Sequence, residues 1–294
     1  MEMRVLYFGD PRGALALLDR GVPLCGVVHG RRGGPGWQAL LTRLRADHPE
    51  VPRWLRPDLS DPQVVSALAQ TAPTALASGF YPRVIPPPVL ALAPGYNVHP
   101  SDLPRWRGPD PSFWVIRSGE PKTAICVHVL TEALDEGDIV RRVEVPVRWW
   151  ESGGALAARL ERDAAGVLGD FMAELMGGVS PTLTPQEGES TWAPLVDPDD
   201  VEIDWSWSAF EVSCLVRAAS PQPGAFSGIG SELMVVLRGL PVEDERFAQV
   251  PTGSPVILGG ECYIRCGGAR DAYRLDRVRV GRREMTGREL AGLL

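Results

Sequence analysis

Two polar side chains on one short strand, together with a later aspartate, form the pattern in this sequence that is most typical of a catalytic site. Asn97 and His99 alternate along an apolar run, so both side chains leave the same face of a β-strand. The strand stops at a proline-rich loop, and Asp135 follows further along the chain in a Leu-Asp-Glu-Gly-Asp turn. Polar side chains at a strand end beside a loop predict an active site rather than a core.

These three residue types favour direct acyl transfer to an amine, because the set includes no serine or cysteine nucleophile. An amine that attacks a carbonyl carbon creates an oxyanion, which the amide of Asn97 and a protonated His99 would stabilise as hydrogen-bond donors. The attacking amine must also lose a proton. A carboxylate such as Asp135 can accept that proton directly or through water, and its charge raises the pKa of His99.

Each part of this pattern also has a simpler interpretation. An isolated Asn-x-His pair is usually a polar strand end, and Leu-Asp-x-Gly is often a turn in which the aspartate bonds its own backbone. The Leu-Pro-x-x-x-Gly run that begins at Leu103 would then be a plain rigid loop. The order and spacing of the parts together favour an active site.

Strand and helix signals alternate through the first half of the chain. Apolar runs and helical spacing predict strands at residues 4–8, 22–28 and 74–77, and helices that begin at Leu15, at Trp37 and at Asp61. The last of these helices has Pro62 at its first helical position, which is a typical start. Alternating strands and helices predict an α/β fold with a parallel sheet covered on both faces. Ligands bind such sheets outside the carboxyl ends of the strands, the edge that Asn97 and His99 approach.

The middle of the chain contains a predicted strand pair and a long helix. Residues 122–130 and 139–147 predict two further strands, joined by the loop that carries Asp135. Apolar residues at helical spacing across 156–175 then predict one long helix, which ends at Gly177.

A polar stretch rich in proline and glycine, residues 179–192, follows this helix, and we interpret it as an interdomain linker. It divides the chain into predicted domains at residues 1–190 and 191–294. The second domain begins with a helix that has Glu211 three residues after Ser208, the spacing of a capping box. Strand-like runs follow at residues 233–237, 256–258, 262–265 and 273–280, before a short helix capped by Thr286 and Glu289. One helix and several short strands predict a small β-barrel.

The composition is that of a soluble globular protein. The 294 residues are 44% hydrophobic and 23% charged, and no apolar run approaches the ~18 residues needed to cross a bilayer. Five scattered cysteines and the absence of an N-terminal signal peptide predict reduced thiols and a cytoplasmic location. No spacing of cysteine or histidine predicts a metal site. The net charge of −7 excludes a general attraction to nucleic acid, although the last thirty residues are rich in arginine. Alternation of those arginines with valines favours a solvated strand face.

The catalytic pattern resembles that of the 10-formyltetrahydrofolate-dependent formyltransferases. Residues 97–108, which read Asn-Val-His-Pro-Ser-Asp-Leu-Pro-Arg-Trp-Arg-Gly, are similar to the catalytic strand and loop of that family, and residues 134–138 are similar to its aspartate loop. The resemblance implies a catalytic triad of Asn97, His99 and Asp135. It also implies a Rossmann-like parallel-sheet domain followed by a small OB-like β-barrel, since residues 203–206, 215–218 and 223–226 are similar to the start of the family's C-terminal domain.

The same resemblance implies that 10-formyltetrahydrofolate is the cosubstrate. Its pocket would be formed by residues 78–86 and by the backbone beside the aspartate. The implied lining residues are Phe80, Tyr81, Val84, Ile85, Leu134 and Gly137. For Phe80 and Tyr81 an ordinary core role is an open alternative.

The identity of the formylated amine depends on other segments. Methionyl-tRNA formyltransferases usually have a longer basic insertion after the second strand, whereas this chain has only residues 29–36 there. Residues 109–114 also differ from the small apolar residues usual in the tRNA enzymes. We therefore predict a small-molecule amine acceptor, either an amino-sugar nucleotide or an amino acid of a specialised metabolite, with no membrane or metal partner. Methionyl-tRNA is the alternative, supported by the arginine-rich tail and the full C-terminal domain. A formyltetrahydrofolate hydrolase and a non-catalytic folate-binding protein are further alternatives.

Overall fold

The apolar runs of the first half form a single seven-stranded sheet. Its strands are β1 (Val5–Gly9), β2 (Leu24–His29), β3 (Arg53–Leu55), β4 (Ala75–Gly79), β5 (Gly95–His99), β6 (Lys122–Val129) and β7 (Ile139–Pro146). They lie in the order β3-β2-β1-β4-β5-β6-β7. The first five strands are parallel, β6 pairs antiparallel with β5, and β7 pairs antiparallel with β6. The strand order reverses direction at β1, between β2 and β4, and such switch points open crevices at the carboxyl ends of the strands.

A computed structural model describes residues 2–230 and 232–294, and these group into two compact units. The first unit comprises the chain up to Pro111 together with Lys122–Pro146 and Ala158–Ala193, and the second comprises Ser112–Pro121, Val147–Ala157 and Pro194–Leu294. Each unit therefore draws on several separate segments of the sequence.

Aspartate, serine or threonine side chains cap several of the α-helices that the described residues form. These helices are α1 (Pro11–Asp19), α2 (Trp37–Asp47), α3 (Pro62–Gln70), α4 (Pro87–Leu90), α5 (Pro111–Arg117), α6 (Gly153–Met176), α7 (Ala209–Ala218) and α8 (Gly287–Ala291). In α1 and in α3, an aspartate side chain accepts a hydrogen bond from the backbone two residues later, and proline follows that aspartate. Asp10 and Asp61 thus satisfy free backbone donors, and proline lacks the N–H that would otherwise need a partner. None of the helices in the described part of the chain is both long enough and apolar enough to span a bilayer.

The core of the first unit lies against the central strands. Every residue of β1, β2 and β4 is buried, as expected for parallel strands covered on both faces. One hydrophobic cluster contains Leu6, Phe8, Val28, Leu68 and Leu76, together with residues of the loop after β4. This packing fixes the strand ends from which the polar side chains project.

Part of the polar stretch at residues 179–192, predicted to be an interdomain linker, is bound to the first unit. Thr184 forms an isolated bridge with Ile139, and Trp192 forms one with Arg107. The backbone of Arg107 donates to the Thr191 carbonyl at 3.0 Å and accepts from Ala193 at 2.7 Å. We call residues 184–193 the strap. Its polar composition reflects an exposed edge segment rather than an unattached one.

The second unit contains an antiparallel sheet. Its strands are β8 (Ala225–Ile229), β9 (Glu232–Glu243), β10 (Pro255–Leu258), β11 (Glu261–Arg265), β12 (Asp271–Val280) and β13 (Arg283–Thr286). The order is β10-β11-β12-β9-β8, with β13 also paired to β12. Both predicted capping boxes are present, at Ser208 with Glu211 and at Thr286 with Glu289. The predicted fold class, a Rossmann-like α/β domain followed by a C-terminal β domain, is confirmed, and the sheet of the second unit is antiparallel.

Candidate active site

The three predicted catalytic side chains converge at the end of β5. Asn97 and His99 project from β5, and Asp135 lies in the loop between β6 and β7. The Nδ1 atom of His99 is 3.6 Å from Oδ2 of Asp135. His128 joins the other two residues, since its Nε2 atom is 3.4 Å from Oδ1 of Asp135 and 3.1 Å from Nδ2 of Asn97. The structure therefore brings Asn97, His99 and Asp135 into one cluster with a fourth residue, His128.

Asp135 is held in a strained backbone conformation that aims its carboxylate at the cluster. Its φ angle is 55°, in the left-handed region that non-glycine residues rarely adopt. The carboxylate is 6% exposed, and its Oδ2 atom accepts the backbone N–H of Gly108 at 3.0 Å. Burial acts to raise the pKa of Asp135, but the neighbouring imidazoles of His128 and His99 and the Gly108 N–H outweigh it and lower the pKa to about 2. Asp135 is therefore ionised at neutral pH.

His99 has a defined tautomer. The ring is 5% exposed, and its Nε2–H donates to the carbonyl oxygen of Trp106 at 2.9 Å. Burial lowers the pKa of His99, although the charge of Asp135 opposes this. The resting ring is consequently neutral at pH 7, with a lone pair on Nδ1 beside Asp135. This differs from the expected protonated histidine, because burial from solvent was not visible in the sequence.

His128 is a functional candidate that sequence reasoning missed. It lies directly opposite Asn97 in the β5–β6 pair, so both side chains share one face of the sheet. The Nδ1–H of His128 donates to the Val129 carbonyl at 2.9 Å, and in this tautomer Nε2, 3.1 Å from Nδ2 of Asn97, accepts from the amide. This hydrogen bond orients the amide, and within the described chain the second N–H of Asn97 has no partner. His128 could have been identified only from the pairing of β5 with β6, which the sequence alone does not reveal.

Neither nucleophilic side chain nearest to this cluster is available for covalent catalysis. Cys126 lies opposite His99 on β6, and burial raises the pKa of its thiol to about 12. Ser101 is fully buried, and its hydroxyl donates to the Arg105 carbonyl at 2.8 Å. The geometry thus favours chemistry in which the polar cluster stabilises charge and moves protons without forming a bond to the substrate.

The loop after β4, predicted to line a folate pocket, divides between core and surface. Tyr81 packs edge-on against Phe8 with ring centroids 5.7 Å apart, and Ile85 is buried in the same hydrophobic cluster. Phe80 has a φ angle of 55°, and Val84 is 68% exposed. Tyr81 and Ile85 therefore have core positions, whereas Val84 presents its side chain to solvent.

The loop that carries Asp135 was also predicted to line the folate pocket, mainly through its backbone. Leu134 is 50% exposed. Gly137 is enclosed so tightly that a Cβ atom there would lie 1.9 Å from the carbonyl oxygen of Val129. Glycine is therefore required at this turn for close approach of two backbone segments. Among the residues that the structure describes, no group of three or more His, Cys, Asp or Glu side chains is arranged to hold a metal ion.

Comparison with known proteins assigns this arrangement to a family. The family model described as formyl transferase matches residues 39–169, and the one for the formyl transferase C-terminal domain matches residues 195–293. A methionyl-tRNA formyltransferase of Anaeromyxobacter sp. (strain K) is 32% identical and aligns over 98% of this chain and 96% of that protein.

Two solved structures have a similar fold. The N-formyltransferase of Helicobacter canadensis, in complex with folinic acid and dTDP-3-aminofucose, has a TM-score of 0.68 at 12% identity over 94% of this chain and 99% of its own. HypX of Aquifex aeolicus in complex with tetrahydrofolic acid has a TM-score of 0.58 at 20% identity, over 99% of this chain and 47% of its own. Sequence relatives along the whole chain and the shared fold lead to one conclusion: the chain belongs to the formyltransferase family.

Proposed function

We propose that this protein is an N-formyltransferase that moves the formyl group of 10-formyltetrahydrofolate to a primary amine. The observation that carries this proposal is the convergence of Asn97, His99 and Asp135, ionised and neutral groups at one strand end, in a chain of this family. We assign catalytic roles to these three residues. We also propose that residues 1–190 form the catalytic domain and residues 191–294 the C-terminal domain.

The proposed reaction proceeds through a tetrahedral intermediate. The lone pair of the amine attacks the formyl carbon, and the carbonyl electrons move to its oxygen. The free N–H of Asn97 donates to this oxyanion. The proton lost by the amine passes to the carboxylate of Asp135 or to Nδ1 of His99, 3.6 Å apart, and Asp135 stabilises the imidazolium formed. The intermediate then collapses, the bond from carbon to the folate nitrogen breaks, and that nitrogen takes up the proton held by Asp135 or His99.

The folate would bind between the loop after β4 and the aspartate loop. Folate compounds are present in the similar Helicobacter canadensis and Aquifex aeolicus structures. The hydroxyl of Tyr81 is buried without a hydrogen-bond partner among the described residues. Such a group is costly unless a ligand or water satisfies it. We propose that the backbone of both loops holds the pterin ring, near Phe80, Tyr81, Val84, Ile85, Leu134 and Gly137.

The acceptor that we favour is a small amine, such as an amino-sugar nucleotide or an amino acid of a specialised metabolite. The arginine-rich tail offers limited charge to a polyanion, because acidic side chains of the second unit pair with four of its arginines. The ion pairs are Arg270 with Glu243 and Glu245, Arg274 with Asp276, Arg277 with Glu284, and Arg288 with Glu261. Arg265 is buried and donates to backbone carbonyls. Phosphate contacts dominate nucleic-acid affinity, so arginines already paired contribute less to it.

Methionyl-tRNA is the second candidate acceptor. The relative from Anaeromyxobacter is named for this activity, and the alignment includes almost the whole of both chains. A tRNA acceptor would require contacts with phosphates from exposed arginines, such as Arg31 and Arg32 in the segment after β2.

The decisive experiment is an acceptor screen with 10-formyltetrahydrofolate and the full chain. Its acceptors are methionyl-tRNA, amino-sugar nucleotides and hydroxylated ornithine-like amines, and mass spectrometry detects the formylated product. Formylation of a small amine supports the proposal, and exclusive formylation of methionyl-tRNA replaces it by the second candidate. A reaction without any amine tests hydrolysis: steady formate release identifies a hydrolase, and a folate complex without turnover in any mixture identifies a binding protein.

A further inference from the structure

The side chain of Gln186 in the strap joins the two loops that meet at the catalytic cluster. Its Nε2 atom donates to the carbonyl oxygens of Asp135 and Gly137, each at 2.8 Å. Its Oε1 atom accepts from Nη2 and Nε of Arg107, at 2.7 Å and 3.1 Å. Only one orientation of the amide satisfies both sides, because the carbonyls need donors and the guanidinium needs an acceptor. Both N–H groups and the oxygen of Gln186 are therefore used.

These bonds hold the backbone that places the catalytic carboxylate. Asp135 has a φ angle of 55°, and a strained residue of this kind persists only where its surroundings over-determine it. Gln186 fixes the carbonyl of Asp135 on one side and Arg107 on the other. The bond between the Gly108 N–H and Oδ2 of Asp135 closes the same ring of contacts at 3.0 Å. A shift of the strap would therefore change the position of the carboxylate relative to His99.

Thr191, also in the strap, makes an equivalent contact with the second loop. Its Oγ1 atom accepts from the backbone N–H of Trp106 at 2.9 Å. Trp106 has a φ angle of 59°, and its carbonyl is the acceptor for Nε2–H of His99. Thr191 thus fixes the residue that determines the tautomer of His99.

We propose that Gln186 is a positioning residue for formyl transfer, with Thr191 in a supporting role. It acts through Asp135 and touches neither substrate. This inference rests on the proposed function. It means that a polar segment outside the sheet contributes to the catalytic rate. Because a misplacement of about 1 Å at a reacting group can cost ~10²-fold in rate, loss of these bonds should lower kcat more than it raises KM.

The test is Gln186→Leu, which keeps the size of the side chain and removes its hydrogen bonds, compared with Gln70→Leu on the exposed end of α3. In the full chain, we expect kcat to fall about 10- to 100-fold, while KM for both substrates stays within about threefold of the wild-type value. Gln70→Leu should leave kcat unchanged. Gln186→Leu loses four hydrogen bonds and should have a lower thermal midpoint, so kcat is compared per folded molecule. If Gln186 only stabilises the fold, the thermal midpoint and the active fraction fall, but kcat per folded molecule stays at the wild-type value.

Two results would overturn the inference: a wild-type kcat per folded molecule in Gln186→Leu, or a raised KM with unchanged kcat, which would make the residue a substrate contact. If Gln186→Leu does not fold, Thr191→Val removes one bond at constant shape. A kcat loss of a few fold at constant KM then supports the inference, and an unchanged kcat refutes it. A wild-type chain that formylates no amine instead refutes the proposed function, so the two failures are distinguishable.

Discussion

Asp135→Asn is the most informative perturbation of the proposed site. The substitution keeps the shape of the side chain and removes a charge that is 6% exposed, 3.6 Å from His99 and 3.4 Å from His128. The amide can still accept the Gly108 N–H. The backbone should therefore keep its position, and the variant isolates the charge and the proton acceptor from the geometry.

Two magnitudes follow from the surroundings of Asp135. Loss of a general base typically costs 10²–10⁴-fold in rate, so we expect kcat to fall at least ~10²-fold. The lowering of its pKa from 3.8 to about 2 corresponds to about 2 kcal/mol of preference for the ionised form in the folded chain. A depressed folded-state pKa adds stability above the unfolded value of 3.8, and this stability is lost as pH falls toward 2.

The assay is steady-state formyl transfer with the acceptor identified by the screen, followed by spectroscopic detection of the folate product. Glu132→Gln, in the same loop and exposed, is the matched control, because it removes an equal charge outside the cluster. Thermal unfolding of both variants and of the wild type at pH 7 and at pH 3 measures how much stability each protein loses on acidification. We expect the wild type to lose more stability than Asp135→Asn between these pH values. Asp135→Asn with more than about a tenth of the wild-type kcat would refute the assignment of Asp135 as proton acceptor.

Three further predictions follow from the same cluster. Asn97→Ala should lower kcat about 10²- to 10³-fold with a wild-type thermal midpoint, because it removes an oxyanion donor; kinetics at saturating substrates checks this, and a loss below tenfold contradicts the role. Burial lowers the pKa of His99 below 6.5, so the acid limb of kcat/KM should lie below pH 6.5; a pH profile with its midpoint above that value contradicts a neutral resting ring. Gly137→Ala should destabilise the fold, because its Cβ atom would lie 1.9 Å from the Val129 carbonyl; thermal unfolding checks this, and an unchanged midpoint contradicts the packing.

Local sequence signals predicted the elements of this fold well where the determining contacts are short-range. The Asp61 cap with Pro62 and both capping boxes form between residues at most three positions apart, so their geometry can be predicted from spacing alone. The helix α1 begins earlier than predicted from its apolar residues, at Pro11, because Asp10 caps it. The short strands β3 and β13 were missed, since three or four residues carry little periodicity.

In the candidate site, too, features that depend on short-range sequence patterns were predicted, and features that depend on distant segments were not. Alternation on one strand predicted that Asn97 and His99 share a face, and the Leu-Asp-Glu-Gly-Asp turn indicated Asp135, which the family resemblance also implied. His128 was not predicted, because its place opposite Asn97 depends on which strands pair and in which register. The neutral state of His99 depends on burial by distant segments. Gln186 lies 51 positions from Asp135 in a stretch whose composition indicates a linker.

The attachment of the strap also affects where the chain can be truncated. A fragment that stops after α6, at Gly178, retains every strand of the first sheet and the three proposed catalytic side chains. It would nevertheless lack both side chains that clasp the loops of Trp106 and Asp135. In such a fragment the loops of Trp106 and Asp135 should be less well fixed, whereas one that extends through Ala193 retains both contacts.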